Sequence, residues 1–174
     1  MHASAFIALG TNMPFGGAEG CELLQRALVA MREAGFVLLA RSSVWRTEAW
    51  PAGSGQADYH NAVVEIDASE FTPQSLYAAL REIEGRFGRT RREKWEPRTL
   101  DLDIVSIGDL AGSFDGIDIP HARMHERAFV LAPLAELGTD WLHPILRQTP
   151  AELLAGLMVV STYRLVGSLV DPAE

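Results

Sequence analysis

The sequence predicts an α+β sandwich, one antiparallel sheet covered by two helices. Three observations carry this: short apolar runs of strand length, two stretches whose apolar residues recur at helical spacing, and their order, β-α-β-β-α-β. That order is the ferredoxin-like one. With 174 residues and an ordinary charged fraction of 22%, a single domain over 1–174 with a proper core is expected.

Residues 3–9, ASAFIAL, form the first apolar run and end in Gly-Thr-Asn, a strand entering a turn. Across 18–34, Leu23, Leu24, Ala27, Leu28 and Met31 fall on one helical face, and Gly35 closes the helix. Residues 36–45 read as a second strand and 59–66 as a third. The connection between them, TEAWPAGSGQAD, is long for a hairpin, and loops of that length are often functional. Thr72 and Pro73 supply an N-cap and a first-turn proline for a helix whose face carries Leu76, Leu80, Ile83 and Phe87, with Gly88 at its end. Residues 100–107 are the fourth strand. C-terminal additions follow: a turn at Pro120-His121, a helix over 128–137, a short helix after Pro150 and a strand within 159–170.

The formal charge of −8 opposes nucleic-acid or anionic-membrane binding, both of which need a positive field. No apolar run reaches membrane-spanning length, and the start MHASAFIALG lacks a basic region before an apolar one. The single cysteine, Cys21, excludes an internal disulfide and makes a cysteine-based zinc site implausible. A cytoplasmic protein is the expectation, with the oligomeric state open and a monomer compatible.

The fourth strand holds the first chemical signal. Side chains alternate along a strand, so Asp101, Asp103 and Val105 share one face, and Leu100, Leu102 and Ile104 the other. The apolar set should face the helices, leaving two carboxylates side by side on an open face, about 6–7 Å apart at Cα. Such a pair suits one or two hard cations such as Mg²⁺; a solvated edge strand explains a bare DxD equally well. Upstream, residues 89–98 hold five cations against two acids. Guanidinium groups beside a carboxylate pair are what a metal-bound polyphosphate requires, although a solvated loop has the same composition. Trp95 favours the ligand reading, because a large aromatic in a polar loop equips it to close over a ligand and exclude water.

"GRTRREKWEPRTLDLDI" resembles the signature of the 6-hydroxymethyl-7,8-dihydropterin pyrophosphokinases, GR-x-R followed by W-G-P-R-T-x-D-x-D. "ALGTN", "SSVWRTEAW", "QADYHNAVV" and "IPHARMHERAFVLAPL" resemble that family's other segments, in family order over roughly residues 5–135. The resemblance implies a three-layer ferredoxin-like fold and Mg²⁺-dependent transfer of pyrophosphate from ATP to the pterin's hydroxymethyl group, giving AMP, in folate biosynthesis. It assigns Asp101 and Asp103 to two Mg²⁺ ions and Arg89 and Arg98 to catalysis beside them. Glu84, Arg91, Trp95, Arg98, His121 and Arg127 fall at its ATP positions, and Thr47, Tyr59, Asn61 and Phe129 at its pterin positions. Read without the resemblance, Glu84 is as well a helix-surface acid, His121 a turn cap, Phe129 a core residue and Asn61 a strand-start polar group.

Thr11, the Glu48-Ala49-Trp50 stretch, Arg81, Lys94, Glu96 and Ala122 depart from the family pattern, and the arginine-rich loop is slightly shortened. None removes the carboxylates or the pterin pair. Two other readings share the topology: a relative that binds without turnover, and an RNA-binding module. The acidic charge and the lack of an aromatic RNA-binding strand pattern oppose the second.

Overall fold

A computed structural model of the chain describes residues 4–49, 55–88, 99–157 and 162–172. The expected order is present: β1 (Ser4–Thr11), α1 (Gly20–Glu33), β2 (Leu38–Arg41), β3 (Ser43–Thr47), β4 (Tyr59–Asp67), α2 (Pro73–Arg86) and β5 (Asp101–Ile107). After it come a small hairpin of β6 (Gly112–Phe114) and β7 (Ile117–Ile119), α3 (Ala128–Glu136), α4 (Pro150–Ala155) and β8 (Tyr163–Ser168). The main sheet runs β5-β1-β4-β3-β8, with β2 also paired to β4. Every pairing in it is antiparallel.

Local signals set the helices. Thr72 caps α2 by accepting from Ser75 N–H while the Ser75 hydroxyl accepts from Thr72 N–H, and Pro73 opens the first turn. Gly88 follows at φ 74°, the left-handed conformation that ends a helix cheaply only at glycine. Apolar faces of α1 and α2 bury Leu23, Leu28, Leu76, Leu80 and Ile83 against Ile7, Leu9, Val64 and Leu102 of the sheet. A second core lies on the other face, where Val130, Leu131 and Leu134 of α3 and Leu153 of α4 cover Phe6, Val63 and Val105. The molecule is thus helix, sheet, helix: three layers of α+β structure.

Three details differ from the sequence reading. The second strand is two. At Ser42 the chain breaks step, and the Ser42 hydroxyl accepts from Val63 N–H at 2.9 Å where a backbone carbonyl would otherwise serve. The β4 register shifts by one residue across that point, which side-chain alternation cannot reveal. In the fourth strand a bulge sets Ile7 opposite Ile104 but Phe6 opposite Ser106, making Val105 the extra residue. Val105 is 1% exposed inside the second core, so the face it shares with the carboxylates is open only around Asp101 and Asp103. The hairpin of β6 and β7 was not anticipated, although Asp115-Gly116 signals a two-residue turn; both residues have positive φ, 53° and 83°.

Candidate functional site

The register of β5, β1, β4 and β3 assembles the site. Asp101 lies opposite Gly10, Gly10 opposite Asn61, and Asn61 opposite Trp45. Residues opposed across an antiparallel ladder share a face, so one row runs from a carboxylate over a bare glycine to a carboxamide. Two strand spacings put the ends of this floor about 10 Å apart. Gly10 is needed there: a Cβ would sit 3.2 Å from Asn61 Oδ1. Asp103 occupies the next row, opposite Ala8.

Asn61 is buried and donates through Nδ2 to Thr47 Oγ1 at 2.8 Å, with Thr47 buried too. Thr47 pairs with Tyr59 across β3 and β4, so Thr47, Tyr59 and Asn61 share the carboxylates' face. Along β3, a cavity of about 290 Å³ touches Thr47 together with Glu48, Tyr163 and Arg164; neither Asp101 nor Asp103 lines it, and it borders the site rather than being it.

The second helical layer supplies the opposite wall. Phe129 is half-buried at the start of α3 and packs on the second core. The Arg127 guanidinium carbon lies 5.6 Å from its ring centroid, a cation–π contact. At the far end of α3, the Glu136 carboxylate accepts from Ser43 N–H at 3.0 Å, the Ser43 hydroxyl at 2.6 Å and Trp45 Nε1 at 2.8 Å. These charge-assisted bonds fix α3 across β3 and thereby aim Arg127 and Phe129. Glu136 was missed in the sequence, where it is one acid ending an apolar helix.

His121 follows β7 and donates its backbone N–H to Val105 O at 2.9 Å. Burial, then the neighbouring Arg127, pull its pKa below the ordinary histidine value, while Asp103 and Asp101 pull more weakly upward. The imidazole therefore feels both carboxylates and Arg127 and is neutral at neutral pH. Its Nδ1 accepts from Arg123 N–H at 3.2 Å, leaving Nε2–H as the donor available to a ligand.

Asp101 and Asp103 are half-buried, the Asp103 side chain 36% exposed. Their oxygens suit a hard cation. Among the described residues no three His, Cys, Asp or Glu gather into a metal cage. Two carboxylates alone leave the remaining positions to water and phosphate, the coordination Mg²⁺ takes with nucleotides.

Glu84 sits differently from the others. Only 1% exposed, it accepts from Leu102 N–H at 2.7 Å and pairs with Arg81 at 2.8 Å, from the helix side of the outermost strand. The structure thus brings Asp101, Asp103, Thr47, Tyr59, Asn61, His121, Arg127 and Phe129 to one side of the sheet and holds Glu84 at its edge. Arg89, Arg91, Trp95 and Arg98 lie outside the described residues, as do Trp50, Lys94 and Glu96.

Residues 6–139 match the family described as 7,8-dihydro-6-hydroxymethylpterin-pyrophosphokinase. A 2-amino-4-hydroxy-6-hydroxymethyldihydropteridine pyrophosphokinase of Pseudomonas aeruginosa is 38% identical over 165 residues, covering 94% of this chain and 97% of its own. Those of Synechocystis sp. and Bacillus subtilis are 39% and 38% identical, covering 83% and 79% of this chain and 74% and 79% of their own. Among solved structures, a Plasmodium falciparum HPPK-DHPS chain superposes with a TM-score of 0.69 at 13% identity, covering 89% of this chain. This chain spans under half of that one, 45%, and the likeness there is one of fold.

Proposed function

Because the chain belongs to the 7,8-dihydro-6-hydroxymethylpterin-pyrophosphokinase family, we propose that it catalyses pyrophosphoryl transfer from ATP to 6-hydroxymethyl-7,8-dihydropterin in folate biosynthesis. The hydroxymethyl oxygen attacks the β-phosphorus, the bond from that phosphorus to the α–β bridging oxygen breaks, and AMP leaves. The observation that carries this reading is the Asp101–Gly10–Asn61 row, with a carboxylate at one end and a buried carboxamide at the other, which suits a metal-bound phosphate beside a flat polar ring.

The chain's own residues then divide the work. Asn61, held by Thr47, reads the polar edge of the pterin, and Tyr59 and Phe129 take its two faces. His121 donates from Nε2 to a phosphate oxygen, and Arg127 adds a guanidinium beside it. Asp101 and Asp103 would hold two Mg²⁺ ions, which when bound offset the charge that develops on the entering and leaving oxygens. Arg89, Arg91, Trp95 and Arg98 take the ATP-binding and catalytic roles that the family resemblance implies for their positions, with Arg89 and Arg98 the catalytic pair. Glu84 contributes to the nucleotide side through the backbone of β5 that it holds. Catalysis here consists of placing two substrates and neutralising charge, and no residue is assigned as a general base. ATP and the pterin are the partners, nucleic acid is not, and residues 1–174 act as one unit. Among the described residues no helix is long and apolar enough to cross a membrane.

Incubating the protein with ATP and 6-hydroxymethyl-7,8-dihydropterin, with and without Mg²⁺, and separating the nucleotides tests the reading. AMP should appear in equal amount with pterin pyrophosphate, and only with both substrates and the metal present. Tight binding of both substrates without AMP would instead identify a non-catalytic relative.

A further inference from the structure

Arg81 lies outside every role assigned above, yet it is the side chain that ties α2 to the acidic strand. It leaves the middle of α2, stacks its guanidinium 4.8 Å from the Tyr77 ring centroid and pairs with Glu84 at 2.8 Å. It then donates to the backbone carbonyl of Leu102 and ends 3.6 Å from Asp103 Oδ1. β5 is an outer strand of the sheet. Leu102 N–H is taken by Glu84 and Leu102 C=O by Arg81, so these two side chains satisfy the strand edge where a further strand would otherwise pair. In doing so Arg81 crosses the edge, from the helix face where Leu102 is buried to the face where Asp103 stands. Its side chain is 19% exposed, and the buried Nε–H meets no acceptor among the described residues. Charge partners rather than complete hydrogen bonding therefore hold the guanidinium there.

We propose that Arg81 is a positioning residue for Asp103 and a built-in counter-charge that makes occupation of the carboxylate pair by a divalent cation depend on the nucleotide. This rests on the metal-binding reading of Asp103 given above. Two carboxylates on adjacent rows repel each other, and a guanidinium beside one of them lowers that cost while no metal is bound. The same guanidinium repels a divalent ion approaching Asp103 alone. A triphosphate reverses the balance, because its negative charge attracts Arg81 and the metal together. The pair then holds free metal only weakly, and Arg81 weakens it less once the nucleotide is present.

The test is Mn²⁺ binding, followed by electron paramagnetic resonance of the free ion, without substrates and again with the non-reacting α,β-methylene analogue of ATP. Without nucleotide, Arg81→Gln should bind Mn²⁺ about tenfold more tightly than the unaltered protein, since a nearby like charge is removed. Arg81→Lys, which keeps the charge, should stay close to the unaltered protein. With the analogue present, the advantage of Arg81→Gln should vanish or reverse. A purely structural role predicts the opposite first result: loosening β5 would weaken Mn²⁺ binding in Arg81→Gln. Unchanged or weakened binding without nucleotide overturns the proposal. Where Arg81→Gln fails to fold, Arg81→Met, which retains the stem over Tyr77, gives the same comparison. Asp103→Asn should abolish tight Mn²⁺ binding in both backgrounds, and its failure to do so would remove the metal assignment itself. AMP release by the unaltered protein is a separate readout, so a failed reaction assignment and a failed role for Arg81 are told apart.

Discussion

The two halves of β5 are built from the same alternation and end in opposite environments. From Asp101 to Asp103 only Leu102 of the three is buried; from Ile104 to Ile107 all four are. On the carboxylates' face the first half stays partly open, whereas Val105 in the second half packs with Met124, Val130 and Leu134; Ile104 and Ile107 are buried in the core on the opposite face. The bulge opposite Phe6 and Ile7 falls in the second half, where Val105 keeps the carboxylates' face but lies within the second core. The lesson is physical. An open carboxylate pair persists where the third layer stops, and the layer's apolar packing holds its edge in place.

If that division is correct, substitutions in the two halves should separate activity from stability. The largest effect is expected at the site end: Asp101→Ala should lower kcat by about 10³-fold or more while the thermal midpoint moves little, because that carboxylate is half-buried. At the packed end the pattern inverts. Phe6 is 2% exposed and meets Trp141 edge-on at 5.9 Å, and Phe6→Ala should cost about 3–5 kcal/mol of stability, read by urea denaturation. The folded fraction should retain its kcat.

A smaller effect tests the floor between the halves of the ligand. The Cβ introduced by Gly10→Ala meets Asn61 Oδ1 at 3.2 Å. The KM for the pterin should rise about tenfold, or about 1.4 kcal/mol, with the KM for ATP nearly unchanged. Equal effects on both substrates would show that Gly10 shapes the whole sheet rather than the ring-reading end.

The smallest expected effect is that of pH. His60, His121 and His143 all have folded-state pKa values lowered, first by burial. A histidine with a lowered folded value binds protons in the unfolded chain first, so its neutral folded form stabilises fully above the unfolded value, about 6.5. That contribution is lost as pH falls from there toward the folded value. Urea midpoints should therefore fall between pH 7.5 and 5.5. The fall should be shallower in His143→Gln, which lies in the second layer beside Trp141 and His125, without a matching change in KM.

What could be read in advance follows the same local-versus-partner division. Thr72, Pro73 and Gly88 announce the ends of α2 because capping is decided within a few residues. Alternation placed Asp101 and Asp103 together for the same reason. The break at Ser42 and the bulge at Val105 depend on β4 and β1, chosen far away in sequence, and no periodicity in their own strands records them. The apolar α3 was legible as a helix, but not as the lid of a second core or as the arm that aims Phe129. Glu136 and Arg81 were missed as organisers because each acts across elements, on β3 and on the outer edge of β5.

The account's central claim is that the carboxylate pair is the metal site of the transfer reaction. A Mg²⁺ titration of AMP release, run for the unaltered protein and for Asp103→Asn with a melting curve for each, tests it most directly. The account predicts a saturating Mg²⁺ response in the first and none in the second, with melting midpoints alike. A saturating response in Asp103→Asn at the unaltered rate would contradict it.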